Sequence, residues 1–138
     1  MDKLILRGRK VVGGVAEGEA FVTRDTISGW GGIDHRTGTI VEMRHEKRGQ
    51  SFKGKVLVFP GAKGSSGWSH YFHMARLSGA APKAMVFNIM TTKVALGAVV
   101  TRAPAGVGLG PETVLYSSQF CAGNTLPATQ SCPIRDCV

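Results

Sequence analysis

A glycine-rich segment followed by two serines is the part of this sequence best suited to chemistry. Residues 61–66 read Gly-Ala-Lys-Gly-Ser-Ser. Glycines allow the backbone to approach a ligand closely, and Lys63 adds a compact positive charge to the same segment. The segment therefore predicts a loop that faces a carboxylate or a phosphate and presents the hydroxyls of Ser65 and Ser66.

The residues on either side predict a strand before this loop and a helix after it. Residues 56–59 form an apolar, β-prone run that ends at Pro60. In residues 68–77 the apolar positions 68, 71, 72 and 75 have the spacing of one helix face. This order predicts that Ser65 or Ser66 is the helix N-cap, where unpaired N–H groups and the helix dipole attract anions. Plain N-capping without a catalytic role is the alternative.

A second strand downstream completes a β-α-β unit over residues 55–88. Gly79 and Pro82 are suited to end the helix, and residues 83–88 are again apolar and β-prone. Such a crossover predicts two parallel strands. Ligands of open α/β sheets bind beyond the carboxyl ends of the strands, which is where the glycine–serine loop falls.

The other segments predict a turn-rich chain. Residues 20–23 are predicted to form a strand, and Thr91 or Thr92 to cap a second helix. Trp30, set among glycines, is interpreted either as a buried core residue or as a stacking platform, and His45 is predicted to lie solvated in a surface loop. Asp34 is interpreted either as a turn-capping acid or as a site residue. Three further segments are assigned on composition: residues 4–6 and 114–116 as short strands, and residues 103–111 as a loop.

The charge pattern favours an anionic small molecule or an acidic protein as the partner. The net charge is +8, and 11 of the 17 Lys and Arg residues lie within residues 1–55, but so do seven of the nine acidic residues. That mixture, without interleaved aromatic residues, argues against nucleic acid. No apolar run approaches the roughly 20 residues of a membrane span, and the apolar part of the first residues is too short to predict a signal peptide. We expect a cytoplasmic protein that binds no membrane.

All three cysteines lie near the carboxyl terminus. Cys121, Cys132 and Cys137 are odd in number, and their spacing fits no zinc template. We expect reduced thiols in a weakly ordered tail, residues 117–138, after a single domain formed by residues 1–116. A role as iron–sulfur ligands is the alternative.

Four blocks of sequence form a pattern by their order and spacing. They are residues 16–20, residues 27–34 with 37–38, residues 49–51 with 54–58, and residues 61–66; residues 81–84 and 95–98 agree as well. This pattern resembles the small (swivelling) subunit of the aconitase X family, whose members include dehydratases of mevalonate 5-phosphate and of cis-3-hydroxy-L-proline. The similarity extends over residues 8 to about 104, and the segment from Ala105 onward does not match the short closing strand of the family.

The resemblance implies an α/β fold, namely a swivelling β/β/α three-layer domain with a parallel central sheet and a smaller antiparallel sheet. It also implies a hydro-lyase (dehydratase) subunit that is active only with a large catalytic subunit, in a heterodimer or a larger assembly. The large subunit would carry an iron or iron–sulfur centre, and none would be bound by this chain alone. The substrate would be a small hydroxy acid.

The resemblance also assigns roles within the loop. Ser65 corresponds to the serine that acts as catalytic base, while Gly64 and Ser66 would hold the substrate carboxylate or the serine itself. Lys63 is predicted from its charge to contact the substrate. Gly67 stands where ordinary aconitases have an arginine. Two alternatives remain: a stand-alone module that binds phosphate or carboxylate, and a non-catalytic interaction module.

Overall fold

The computed structural model describes residues 8–65 and 67–108, a mixed α/β domain. Its elements in chain order are β1 (Gly8–Val12), β2 (Ala20–Val22), β3 (Ile27–Ser28), β4 (Ile33–Asp34), β5 (Thr39–Ile40), β6 (Val56–Phe59), β7 (Ala62–Lys63), α1 (Trp68–Leu77), β8 (Ala84–Phe87), α2 (Thr92–Thr101) and β9 (Ala105–Gly108).

One five-stranded sheet forms the centre of the domain. Its spatial order is β1-β9-β8-β6-β2. The pairs β2–β6, β6–β8 and β8–β9 are parallel, and β1 is antiparallel to β9. Outside this sheet, β3 pairs with β7 in parallel and β4 pairs with β5 antiparallel. The predicted fold class, with a parallel central sheet and a smaller antiparallel one, is confirmed.

The predicted β-α-β unit forms the middle of the central sheet. All four residues of β6 are buried, as expected for a parallel strand covered on both faces. β6 aligns with β8 from Val56 opposite Ala84 to Phe59 opposite Phe87. Between these strands, α1 buries Trp68, whose ring stacks on that of Phe72 with 4.1 Å between the ring centroids. The crossover thus combines the strands and the helix in one core.

The helix ends were predicted with mixed success. Gly79, with φ of 73°, follows the C-cap of α1, and the hydroxyl of Thr91 caps α2 by accepting from the Val94 N–H at 3.4 Å. The N-cap of α1, however, is Gly67, which makes no side-chain capping bond, so the prediction of a serine N-cap was wrong. Ser65 contributes its carbonyl instead, which accepts from the Trp68 N–H at 3.2 Å.

The segment predicted as a loop over residues 103–111 contains a central strand. β9 lies between β1 and β8, and its residues Ala105 and Val107 are buried. Glycine and proline are depleted in strands on average, but strand propensity depends strongly on context. Here, pairing with a strand on each side supplies the hydrogen bonds that hold these small residues in extended conformation.

His45 is buried rather than solvated. Only 6% of its surface is exposed, and its Nδ1 accepts from the backbone N–H of Lys47 at 3.0 Å. Next to it, the Glu46 carboxylate accepts from the Thr23 hydroxyl at 2.8 Å. The surrounding turn is therefore tied to the residue that follows β2, a long-range contact that its polar composition did not indicate.

Some predictions fall on residues outside the described ranges: the strands at 4–6 and 114–116, the tail 117–138 with its three cysteines, and Ser66. Within residues 8–65 and 67–108, neither helix is long and apolar enough to cross a membrane.

Candidate active-site loop

The glycine–serine loop lies at the carboxyl end of β6, as predicted. The carbonyl of Pro60, just after β6, accepts from the N–H groups of Asn88 and Ile89, which follow β8, at 3.1 and 2.9 Å. Part of the loop is itself extended, because Ala62 and Lys63 form β7 and pair with β3. The segment is therefore anchored on both sides before it reaches the serines.

Gly64 makes the turn from β7 towards α1. Its φ is 93°, a conformation that favours glycine. The ammonium of Lys93, on α2, donates to the Gly64 carbonyl at 2.5 Å. On its other side, a Cβ at Gly64 would lie 3.5 Å from the hydroxyl oxygen of Ser28. The turn thus has contacts from β3 and from α2.

Ser65 presents an exposed side chain where α1 begins. A Cβ on Gly67 would lie 3.5 Å from the Ser65 Oγ, which places the hydroxyl beside the helix N-cap. The first turn of α1 contains no acidic residue, so no carboxylate of its own offsets the positive end of the helix dipole. A hydroxyl in this position has N–H groups nearby and is open to a molecule outside the domain.

Lys63 does not present a free charge at the loop. Its ammonium is paired with the carboxylate of Glu42, and the two side chains are 53% and 21% exposed. The second carboxylate oxygen of Glu42 is buried without a hydrogen-bond partner. A substrate anion that binds Lys63 must therefore compete with Glu42.

Trp30 lies on the surface near this loop, so its interpretation as a buried core residue was wrong. It is 72% exposed and meets Tyr71 of α1 edge to face, with 5.9 Å between the ring centroids. The glycines beside it provide the close packing instead: a Cβ at Gly29 would lie 2.7 Å from the Cα of Trp68. Because the backbone packs inwards, the indole is directed outwards.

Asp34 has the geometry of a turn-capping acid. Its Oδ1 accepts from the N–H of Arg36 at 2.9 Å, and this backbone hydrogen bond lowers the pKa of Asp34. Of the two interpretations made from the sequence, the capping role accounts for these contacts.

Sequence reasoning missed three residues that surround the loop, namely Ser28, Glu42 and Lys93. All three act across long sequence separations, which periodicity and local motifs do not reveal. Of the three, only Lys93 could have been noticed from its local sequence, because a cation in the first turn of a helix is unfavourable for the helix dipole and needs another reason to be there. Its contact with Gly64 supplies the reason for its position.

The described residues do not fit a metal centre. Within 8–65 and 67–108 there is no group of three or more His, Cys, Asp or Glu side chains that could hold a metal ion. The feature that this domain offers to a reaction is therefore the exposed hydroxyl of Ser65, at the end of a glycine turn that β3 and α2 hold in place.

Comparison with known proteins identifies the class. The family model for the aconitase X swivel domain matches residues 5–119, and the chain belongs to this family. It is 43% identical to the phosphomevalonate dehydratase small subunit of Thermococcus gammatolerans over 104 residues, 75% of this chain and 79% of that one. It is 45% identical to that of Methanosarcina acetivorans over 105 residues, 75% of this chain and 72% of that one.

A solved structure agrees with these relatives. The holo-form of aconitase X from Thermococcus kodakaraensis superimposes with a TM-score of 0.72 at 42% identity, over 74% of this chain and 78% of that chain. The predicted family and the assignment as a dehydratase subunit are confirmed. The family match also extends past residue 104, beyond the limit of the resemblance seen in the sequence.

Proposed function

We propose that this chain is the small subunit of a phosphomevalonate dehydratase, in which Ser65 is the base that starts the elimination of water. The serine oxygen takes a proton from the carbon next to the substrate carboxylate. The electrons of that C–H bond form a carbon–carbon double bond as the C–O bond on the neighbouring carbon breaks. The hydroxide that leaves and the proton taken up by the serine together make the water released, which returns the serine to its starting form. The names of the relatives favour mevalonate 5-phosphate over cis-3-hydroxy-L-proline as the substrate.

The observation that carries this proposal is the exposed hydroxyl of Ser65 on a turn braced by β3 and α2. Serine is a weak base at its ordinary pKa, and it becomes effective when N–H donors stabilise the alkoxide in a site that excludes water. The start of α1 offers such donors, and a partner that closes over the exposed loop would exclude water. Gly64 and Ser66 are proposed to hold the substrate carboxylate or the serine, and Lys63 to contact the substrate in exchange with Glu42.

A large subunit is proposed to complete the site. The relatives are named small subunits, and the described residues contain no metal-ligand group. We place the iron or iron–sulfur centre and most substrate contacts on that partner. The alternative of a stand-alone anion-binding module has less support, because the lysine of the loop is already paired with a carboxylate.

The test is reconstitution. The chain is produced with and without the large subunit encoded in the same genome, and water elimination is assayed with mevalonate 5-phosphate and with cis-3-hydroxy-L-proline. We expect the complex to turn over mevalonate 5-phosphate and the small chain by itself to be inactive, and we expect iron to be found on the large subunit. Turnover of the hydroxyproline only would overturn the substrate assignment. Turnover by the isolated small chain, or an inactive complex with tight phosphate binding by that chain, would overturn the subunit role.

The surface around Trp30 is proposed to contact the large subunit. If Ser65 acts on a substrate held by that subunit, the face that carries Ser65 must meet it. Trp30 and Tyr71 are on this face, because the Trp30 carbonyl accepts from the Ser28 hydroxyl, which also borders Gly64. Exposed tryptophans of this kind are typical anchors of protein interfaces.

Replacing Trp30 with alanine is expected to weaken association with the large subunit by at least about tenfold in Kd, since buried interface tryptophans are commonly worth about 2 kcal/mol. Titration of one labelled subunit with the other measures the change. The matched control is Leu77→Ala at the far end of α1, where the side chain is 71% exposed, compared with 72% for Trp30. Equal affinities for both variants and the native chain would place the interface elsewhere.

A further inference from the structure

Lys93 is placed where the helix that carries it gains nothing from its charge. It lies in the first turn of α2, after the N-cap Thr91. The positive end of a helix dipole favours anions, so a cation in this turn is unfavourable for α2. The ammonium reaches out of its own helix and donates to the carbonyl of Gly64 at 2.5 Å. The Lys93 side chain therefore stabilises the loop rather than α2.

The hydrogen bond fixes the peptide that precedes Ser65. A trans peptide is planar and holds its C=O and N–H in opposite directions, and the described chain contains no cis peptide bond. With the Gly64 carbonyl directed at Lys93, the N–H of Ser65 points away from it. Gly64 would otherwise allow this plane to rotate, because glycine is free to adopt many backbone conformations. Lys93 thereby restricts the direction in which the Ser65 side chain leaves the backbone.

The same contact places a positive charge beside the proposed base. The other lysine of this region, Lys63, is neutralised by Glu42, whereas no carboxylate in the described part of the chain pairs with Lys93. A cation close to a group favours its anionic form. Lys93 therefore contributes positive potential at the peptide from which the Ser65 hydroxyl is presented.

We propose that Lys93 is a positioning residue for the dehydration, which holds the Gly64–Ser65 peptide so that the Ser65 hydroxyl faces the substrate. This inference rests on the proposed role of Ser65. It assigns α2 a part in the reaction although none of its side chains is proposed to touch the substrate.

The test uses the assembled enzyme with Lys93→Met, Lys93→Gln and Lys93→Arg. We expect Lys93→Met to lower kcat by about 10- to 100-fold while KM changes by less than about threefold, because a small misplacement of a catalytic group is costly. Lys93→Arg, which keeps the charge and a donor, should recover most of kcat. Lys93→Gln keeps a donor without the charge, so the rising limb of its kcat–pH profile should move to higher pH. Lys83→Met, at an exposed lysine before β8, is the control and should match the native enzyme.

The outcomes separate this inference from the function on which it rests. Loss of activity in Ser65→Ala together with native kcat and pH profile in Lys93→Met overturns the role of Lys93 and leaves Ser65 in place. A native rate in Ser65→Ala removes the proposed base itself. A raised KM with unchanged kcat in Lys93→Met would make Lys93 a substrate ligand instead of a positioning residue. If Lys93→Met does not assemble, Lys93→Gln decides, because its amide is shorter than the lysine side chain and carries no charge: a native kcat together with a native pH profile overturns the proposal.

Discussion

Replacing Ser65 with alanine in the assembled enzyme is expected to lower kcat by roughly 10²- to 10⁴-fold, the usual contribution of a positioned general base. The change removes one oxygen from an exposed residue that does not cap α1 through its side chain. Stability should therefore stay within about 0.5 kcal/mol of the native value, as for most surface substitutions. Steady-state kinetics of the complex, together with its thermal melting, provide the measurement.

The control for this experiment is another exposed serine, at the other end of α1. Ser78 is the C-cap of α1, at the opposite end from the loop, and Ser78→Ala should retain native turnover. KM should change little in Ser65→Ala, because the proposed proton transfer occurs only in the transition state. Near-native kcat after replacement of both Ser65 and Ser66 would favour the non-catalytic interaction module and exclude both hydroxyls from the chemistry.

The β6–α1–β8 unit could be predicted from the sequence because its information is local. Residues 56–59 are apolar on both faces, and the apolar positions of α1 recur with helical spacing. The apolar run and the helical spacing locate the loop between them and place it at the carboxyl edge of the sheet. The position of the candidate site therefore follows from one stretch of sequence, residues 55–88, which forms a single β-α-β unit.

Features set by long-range contacts could not be predicted in this way. β9 reads as a loop by composition, and it becomes a strand because β1 and β8 pair with it from both sides. Trp30 reads as a core residue, and it is exposed because Gly29 occupies the close contact with α1. The bond from Lys93 to Gly64 spans 29 residues and matches no motif. In each case the deciding partner is distant in sequence, so the outcome depends on the assembled fold.

Gly97, in the core beneath the loop, is another position at which a residue distant in sequence decides the outcome. A glycine inside a helix is usually less stable than alanine by about 0.5–1 kcal/mol, so α2 considered alone predicts that Gly97→Ala is stabilising. In the structure, a Cβ at Gly97 would lie 2.2 Å from Cζ3 and 2.8 Å from Cε3 of Trp68. That indole cannot easily move, because it stacks on Phe59 and Phe72 and its N–H donates to the Ile27 carbonyl at 2.9 Å.

Gly97→Ala is therefore expected to lower the free energy of unfolding by about 1–3 kcal/mol, as overpacking of a filled core does, against the gain in helix propensity. Urea denaturation measures this free energy. The control is Val99→Ala, on the exposed face of α2, whose free energy of unfolding should stay within about 0.5 kcal/mol of the native value. A stabilised Gly97→Ala would show that the indole has room to shift. Because the backbone N–H of Trp68 also bonds to the Ser65 carbonyl, a displaced Trp68 moves the proposed base, and kcat of the assembled enzyme should fall in parallel with stability.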